Sequence, residues 1–190
     1  MTYEEPEQPG ARAVLHGERI KLRAPVEQDK QDRITDGRDA EFCRMVGGDP
    51  QPLRPLTEAD AAQWYDRLCR DPMHWVVEAD GRCIGNARLH SLDRHNRRAR
   101  YAIGIFSPRY WNNGYGTETT RLVLRYAFEQ MHLHRVDLHV LEINRRAIAC
   151  YRKCGFVIEG LEREGALVGD QWHSEVLMSV LEQEHQWKTG

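Results

Sequence analysis

The chain has 190 residues, 41% of them hydrophobic and 29% charged, and its 27 basic and 29 acidic side chains leave a net charge of −2. This composition excludes an intrinsically disordered protein and disfavours a nucleic-acid-binding protein, which usually carries a basic excess. No apolar run approaches the roughly 20 residues of a membrane-spanning helix. The acidic N-terminus also lacks the features of a signal peptide, so we expect a cytoplasmic protein that binds neither a membrane nor a nucleic acid.

The cysteine and histidine positions indicate neither a disulfide framework nor a metal site. The five cysteines are odd in number and form no Cys-x-x-Cys pair. Cys150 and Cys154 share one predicted helix face, but two thiolates do not complete a tetrahedral zinc site. No histidine lies in a metal-binding spacing such as His-Glu-x-x-His. We predict that the cysteines pack as small hydrophobic side chains and that the protein holds no metal.

The first third of the chain predicts an arm, a strand and three helices. The acidic, proline-containing segment 1–15 is typical of a flexible N-terminal arm, and we expect residues 16–185 to form a single domain. Polar and apolar residues alternate over 18–23, which predicts the first strand. Two short helices are expected within 26–47. A third helix is expected to begin after Thr57, where the sequence resembles a capping box.

The rest of the chain alternates between strand and helix patterns. An Asp-Gly pair predicts a hairpin turn, and a stripe of apolar residues at helical spacing predicts the longest helix. Gly155 is a natural end for the predicted helix 145–153. The predicted strands cover 74–78, 83–92, 98–106, 136–140, 156–162 and 172–181, and the predicted helices cover 115–131 and 145–153.

A glycine-containing loop gives the first indication of function. It joins the predicted strand 98–106 to the helix 115–131 and contains Gly114 and Gly116. Glycines let a backbone approach a ligand closely, and the free amides of a helix N-terminus favour an anion such as a phosphate. The loop is not a Walker A motif, since the chain has no Gly-Lys pair. It is also not a dinucleotide-binding motif, since the third glycine of that motif is absent from the loop. A plain turn is the alternative for this segment taken alone.

A second segment, from Asn144 to Phe156, directly follows a predicted strand. Together the two segments resemble the GNAT superfamily of acetyl-CoA-dependent N-acetyltransferases, whose Asn-x-x-Ala-x-x-x-Tyr-x-x-x-Gly-Phe pattern is complete here. The family's Gln/Arg-x-x-Gly-x-Gly loop is matched at both glycines, but Trp111 stands in place of Gln or Arg. The resemblance covers roughly residues 18–184, and the order of elements is most similar to the ribosomal-protein-alanine (RimJ/RimL-like) branch.

The resemblance implies a fold, an acetyl donor and a set of residue roles. The fold is a single α/β domain with a central, mixed and mostly antiparallel twisted sheet, a splayed pair of parallel strands and flanking helices. The donor is acetyl-CoA, with its pyrophosphate on the loop amides, and Tyr151 would protonate the leaving thiolate as the general acid. The implied cofactor-binding residues are Ile105, Phe106, Asn112, Asn113, Gly114, Tyr115, Gly116, Thr117 and Asn144.

The general base is not assigned by the resemblance. Many family members use a carboxylate on the strand before the glycine loop, and residues 98–106 contain none. Glu78, His90, Asp93 and Glu142 lie near predicted strand ends and are candidates, although each also suits a solvated rim position. The RimJ/RimL-like branch often has Ser where Ala147 stands here, which shifts the acid role to Tyr151 and weakens the assignment of a ribosomal substrate.

We therefore predict an N-acetyltransferase in which a primary amine attacks acetyl-CoA directly in a ternary complex, the protein being a monomer or homodimer. The acceptor is open between a protein N-terminus, a polyamine and an amine-bearing antibiotic. One rival is a non-catalytic acyl-CoA-binding module, which would not need Tyr151. The other is a nucleotide-binding protein, which the failed phosphate-loop motifs disfavour.

Overall fold

A twisted, nine-stranded sheet organises the residues described by the computed structural model, which are 2–4, 12–51 and 53–185. The strands follow the order β1-β2-β3-β4-β5-β6-β7-β9-β8, and every neighbouring pair is antiparallel except β6 and β7. Their bounds are β1 Thr2–Glu4, β2 Val14–His16, β3 Ile20–Arg23, β4 His74–Ala79, β5 Arg82–Asp93, β6 Arg98–Ile105, β7 Arg135–Leu141, β8 Val157–Val168 and β9 Gln171–Leu181.

Within the described ranges, five α-helices cover the two faces of this sheet. Alternate residues of β4 separate the two cores, since Trp75 and Val77 pack with the helix 115–125 while Val76 packs with Trp64 and Leu68 on the opposite face. The capping box at Thr57 is present, with its side chain accepting from the Asp60 amide. The helices are α1 Gln28–Asp36, α2 Ala40–Met45, α3 Glu58–Arg70, α4 Tyr115–Arg125 and α5 Arg145–Lys153.

The predicted α/β fold is confirmed, including the splayed parallel pair. β6 and β7 pair only at their first residues, from Arg98 opposite Arg135 to Arg100 opposite Asp137. Beyond that point β6 continues to Ile105 and β7 to Leu141, but the two strands no longer pair with each other. The two strands diverge there, and the backbone groups that face the gap are left for another partner.

The sheet extends into the segment predicted to be an arm. β1 pairs with β2, and Ala13 and Leu15 are buried. The indole Nε1 of Trp75 donates to the carbonyl of Ala13 at 2.8 Å, which ties this segment to β4. The predicted boundary at residue 15 therefore differs from the structure, while residues 1 and 5–11 of the predicted arm lie outside the described residues.

Two elements are longer or less regular than predicted. β8 runs to Val168 through two register shifts, around Ile158 and after Glu162. The strand was predicted to end at 162, because residues 162–165 are mostly polar and the bulges interrupt the alternation of polar and apolar residues. α4 continues into a π-helical turn over Tyr126–Gln130, within the predicted span. Among the described helices, none combines the length and apolar character required to cross a bilayer.

Candidate active site

The glycine loop begins helix α4 with a left-handed backbone. Gly114 is the N-cap residue with φ of 84°, and Asn112 has φ of 61°. This geometry leaves the amides of the first turn of α4 without helical acceptors, as an anion site requires. At Gly116, a Cβ atom would lie 3.6 Å from the sulfur of Cys150. Gly114 supplies the positive φ that this turn requires, whereas Gly116 lies in the helix.

Glu118, in the first turn of α4, holds this loop to the turn between β2 and β3. Its Oε1 accepts the amides of Glu18 at 2.7 Å and Arg19 at 2.9 Å. The Arg19 guanidinium returns to its Oε2 at 3.2 Å and donates to the carbonyl of Asn113 at 2.8 Å. Gly17 is required beside it, because a Cβ there would lie 2.4 Å from Oε1. The carboxylate is thus a brace for the loop.

Removing this brace has a measurable consequence. Glu118→Ala leaves two amides and a guanidinium without their acceptor, so we expect a loss of about 1–2 kcal/mol in the free energy of unfolding. Glu118→Gln keeps an oxygen for the two amides and loses the charge and the oxygen that accepts from Arg19, so its loss should be smaller. Urea unfolding of both variants measures the difference. Equal stability of the alanine variant and the wild type would contradict the bracing role.

A cavity of about 740 Å³ opens where β6 and β7 diverge. It extends from the glycine loop, past α5, to the loop after α2 and to β9. The predicted site residues that line it are Ile105, Asn112, Gly114, Tyr115, Gly116, Thr117, Asn144 and Tyr151. The structure therefore brings the two sequence segments together around one space.

Two predicted cofactor residues do not line this cavity. Phe106 is buried in the opposite core, with its ring edge-on to those of Phe42 and Trp64 and its amide bonded to the carbonyl of Ile84 at 3.0 Å. Asn113 is exposed, and its carbonyl accepts from Arg19. The prediction assigned both through their backbone groups, and the Phe106 amide is already bonded to Ile84.

Asn144 caps helix α5 and also contacts α2. Its Oδ1 accepts the amide of Ala147 at 3.1 Å, and its Nδ2 donates to the carbonyl of Met45 at 3.2 Å. An amide side chain has two N–H groups and an oxygen with two lone pairs. One donor and one acceptor position therefore stay available toward the cavity, while the capping role alone already explains an asparagine here.

Tyr151 is a buried phenol of the cavity wall, as is Tyr101, whose hydroxyl is bonded to that of Thr120 at 3.1 Å. The Tyr151 ring lies edge-on to that of Tyr101, with centroids 6.3 Å apart, and 5.7 Å from that of Phe156. Burial raises its pKa well above the ordinary value, and the nearby Cys150 and Cys154 add to the rise. The phenol is therefore protonated at neutral and moderately alkaline pH.

Cys150 lies beside Tyr151, with its sulfur 3.3 Å from the hydroxyl of Thr117. A hydrogen bond from the Cys154 thiol, together with the one from Thr117, lowers the pKa of Cys150 against the opposing effect of burial. The cysteines of α5 are free, as are Cys43, Cys69 and Cys83. Cys150 is thus more than the packing residue predicted from sequence, because it faces the cavity.

Sequence reasoning missed several charged cavity residues. Arg146 of α5 lies with its guanidinium carbon 3.6 Å from the centre of the Trp111 ring, and Trp111 donates to the carbonyl of Ile105 at 2.9 Å. Lys153 also lines the cavity. Arg146 brings a positive charge to the position where the loop motif has Trp111 instead of Gln or Arg. Only the spatial proximity of α5 reveals this.

The four candidates for the general base lie elsewhere. Glu78 pairs with Arg23, and Asp93 accepts from Asn96. His90 contacts Ser91, and Glu142 accepts from Ser174. These four do not line the cavity, whereas two titratable residues that the prediction did not consider, His139 of β7 and Glu175 of β9, do.

A family model described as Acetyltransferase (GNAT) domain matches residues 19–157. Spermidine N(1)-acetyltransferase of Escherichia coli (strain K12) is 31% identical over 123 residues, which are 64% of this chain and 66% of that protein. Putative ribosomal N-acetyltransferase YdaF of Bacillus subtilis (strain 168) is 33% identical over 105 residues, 55% of this chain and 57% of that protein. Each alignment thus spans less than two thirds of the relative.

Solved structures share the fold over nearly their whole length. A GNAT-family acetyltransferase from Bacillus anthracis has a TM-score of 0.76 and 22% identity, covering 90% of this chain and 99% of that one. Spermidine N-acetyltransferase from Vibrio cholerae, in complex with CoA and spermine, has a TM-score of 0.71 and 23% identity, covering 88% of this chain and 98% of that one.

Proposed function

The chain belongs to the acetyltransferase (GNAT) domain family, and from this premise we propose that it transfers an acetyl group from acetyl-CoA to a primary amine by direct attack in a ternary complex. The observation that carries the proposal is the cavity that joins the glycine loop, the diverging strands and Tyr151. Each part matches one requirement of the reaction: a site for an anion, unpaired backbone for an extended amide chain, and a proton donor.

The glycine loop and helix α4 are assigned to the pyrophosphate. The amides of the first turn point along the helix axis, where the dipole favours negative charge. Arg146 and Lys153 add positive charge at the same end of the cavity. The backbone of β6 beyond Arg100, which does not pair with β7, suits the pantetheine amides, except for the Ile105 carbonyl, which already accepts from Trp111. Asn144 has a second donor and a second acceptor position for the same arm. Phe106 and Asn113 contribute no side chain to this assignment.

Tyr151 is assigned to the leaving group. A thiolate that departs from the acetyl carbon needs a hydrogen bond or a proton, and a buried phenol supplies it. Because the pKa of Tyr151 is raised, the thiolate is stabilised mainly by a donated hydrogen bond, with water restoring any proton that is transferred. This role refines the full proton transfer expected from the sequence.

The acceptor class rests on the relatives and on the charge of the cavity. A protein N-terminus is supported by the similarity to the B. subtilis protein named as a putative ribosomal N-acetyltransferase, which agrees with the RimJ/RimL-like order of elements. A polyamine is the second candidate, since the E. coli relative is a spermidine acetyltransferase and Glu175 brings a carboxylate to the cavity. The alanine at 147 counts against the first candidate, and an amine-bearing antibiotic fits the chemistry equally.

Ligand-induced stabilisation tests the donor site. Coenzyme A should raise the thermal midpoint, because a ligand at a hundredfold excess over its dissociation constant stabilises the folded state by about 2.7 kcal/mol. NAD and ATP at the same concentrations should raise it less. An equal or larger shift with ATP would favour the nucleotide-binding alternative and would contradict the assignment.

A further inference from the structure

Three ionisable side chains from neighbouring strands meet on one face of the sheet. They are His139 of β7, Glu162 of β8 and Glu175 of β9. One imidazole nitrogen and one oxygen of each carboxylate lie within 4.8 Å of one another. The Nδ1 atom of His139 is 3.7 Å from Oε2 of Glu162, and the His139 side chain is 23% exposed. The imidazole is therefore held against a carboxylate and retains access to solvent.

Strand pairing places this cluster on the face opposite α5. His139 pairs with Leu177, and Leu141 with Glu175, so these side chains share a face that alternates with the buried Leu138 and Val140. His139 and Glu175 line the cavity from this side. Their carboxylate and imidazole thus reach the same space as Tyr151, but from another element.

The two ends of the cavity suit ligands of opposite charge. The end at α4 and α5 offers backbone amides together with Arg146 and Lys153, which suits an anion. The end at β7 and β9 offers an imidazole and a carboxylate, which suits an ammonium group. A reaction between a phosphate-bearing donor and a cationic amine requires these two halves in one cavity.

We propose that His139 is the general base of the acetyl transfer and that Glu175 binds the ammonium group of the acceptor, an inference that rests on the proposed function. Glu162 is a positioning residue, which orients the imidazole and stabilises it once it is protonated. The assignment fills the role for which residues 98–106 supply no carboxylate. It also explains why a histidine and two glutamates converge on three strands beside the splayed pair.

The proton balance of the step is complete without any further reactant. The ammonium nitrogen loses two protons in total: one passes through His139 to water, and the other ends on the coenzyme A thiol beside Tyr151. The amine lone pair forms the C–N bond to the acetyl carbon, and the C–S bond breaks. Nothing is oxidised or reduced, and the bond made replaces the bond broken.

The charged surroundings of His139 are few among the described residues. Glu162 faces it from β8 and Glu175 from β9. On β7 itself, Asp137 lies two residues earlier on the same face and is bonded to Arg100 of β6 at 2.8 Å. The residues that line the same cavity from β6 and α2 include the uncharged Ala102, Gly104, Phe42 and Met45.

Steady-state kinetics of His139→Gln with spermidine and with an alanine-starting peptide test the base. Removal of a general base typically lowers the rate on the order of 10²–10⁴-fold, and we expect a loss near the lower end in kcat/KM at neutral pH. The pH dependence of kcat/KM is the second readout for the His139→Gln variant. Its deficit should shrink as rising pH deprotonates the free amine, which a purely structural defect would not produce.

The carboxylate and the matched control separate binding from catalysis. Glu175→Gln should raise the acceptor KM about tenfold, the loss of one charge-assisted hydrogen bond, with a smaller change in kcat. His134→Gln is the control, because His134 also lies near a glutamate, Glu182 at 3.9 Å, but is half-exposed and outside the cavity lining. Wild-type pH profiles and KM values in His139→Gln and Glu175→Gln would overturn the inference.

Two further readouts distinguish the inference from the proposed function. If the wild type binds acetyl-CoA but acetylates none of spermidine, an alanine-starting peptide and an aminoglycoside, the proposed function fails. Calorimetry of spermidine with the CoA-loaded protein then decides the ammonium site. Loss of spermidine binding in the double variant Glu162→Gln/Glu175→Gln supports the site. Unchanged binding in that variant, or no binding to the wild type, overturns it. Loss of wild-type activity in EDTA, restored by Zn²⁺, would also overturn it, because the cluster would then be a metal site.

Discussion

Gly116→Val is expected to lower the affinity for coenzyme A by a factor of ten to a hundred. A factor of ten corresponds to 1.4 kcal/mol of binding free energy. The reason is space, since the first atom of a side chain at this position already lies 3.6 Å from the sulfur of Cys150. The branched methyls of valine would extend into the volume assigned to the pyrophosphate.

Calorimetry of coenzyme A binding measures the effect, with Gly116→Ala as the matched control. Alanine adds only the Cβ atom, which fits at ordinary contact distance, so its affinity should stay close to that of the wild type. Gly114 is less suitable, because its φ of 84° and the Arg19 guanidinium 2.8 Å from a Cβ would disturb the fold of the loop. Unchanged affinity in a folded Gly116→Val protein would place the phosphate site elsewhere.

Tyr151→Phe is expected to lower kcat on the order of 10²-fold while leaving the affinity for acetyl-CoA nearly unchanged. The phenylalanine ring keeps the edge-on contact with Tyr101 and the contact with Phe156. Only the donor to the leaving thiolate is lost, and that thiolate is a tolerable leaving group. The effect therefore belongs at the lower end of the range for a general acid.

The pH dependence and a second tyrosine serve as controls for that result. Because burial raises the pKa of Tyr151, its ionisation should produce no alkaline limb in the wild-type kcat profile below about pH 10. Tyr65→Phe removes a hydroxyl from α3, outside the cavity lining, and should turn over as the wild type does. Wild-type turnover in Tyr151→Phe would remove the tyrosine from the mechanism and leave water as the proton source.

The sequence predicts those parts of the site that lie within one continuous segment. Gly114 and Gly116 stand at the start of α4, and Asn144 and Tyr151 belong to the cap and body of α5, so each pair is held together by one element and lines the same cavity. Phe106 marks the limit of this reasoning. It was predicted to close the strand and to offer its backbone to the cofactor, but β6 ends at Ile105, the Phe106 amide is bonded to Ile84 and its ring lies in the other core.

The cluster at His139 lies beyond what spacing can predict. Its members come from three strands, and their meeting depends on the register between β7 and β9 and on the bulges of β8. A shift of one residue would turn His139 into the core and Leu138 outward. The start of the sheet was missed for a similar reason, since Val14–His16 is a strand only because β3 lies beside it to pair with.

Thiol release from acetyl-CoA, followed together with mass analysis of the amine, tests the central claim most directly. The panel consists of spermidine, alanine-starting peptides and an aminoglycoside, each added to the wild-type protein. The account predicts amine-dependent thiol release that equals the amount of acetylated amine for at least one member of the panel. Tight binding of coenzyme A with no amine-dependent release from any member would contradict it and would identify the protein as a non-catalytic acyl-CoA-binding module.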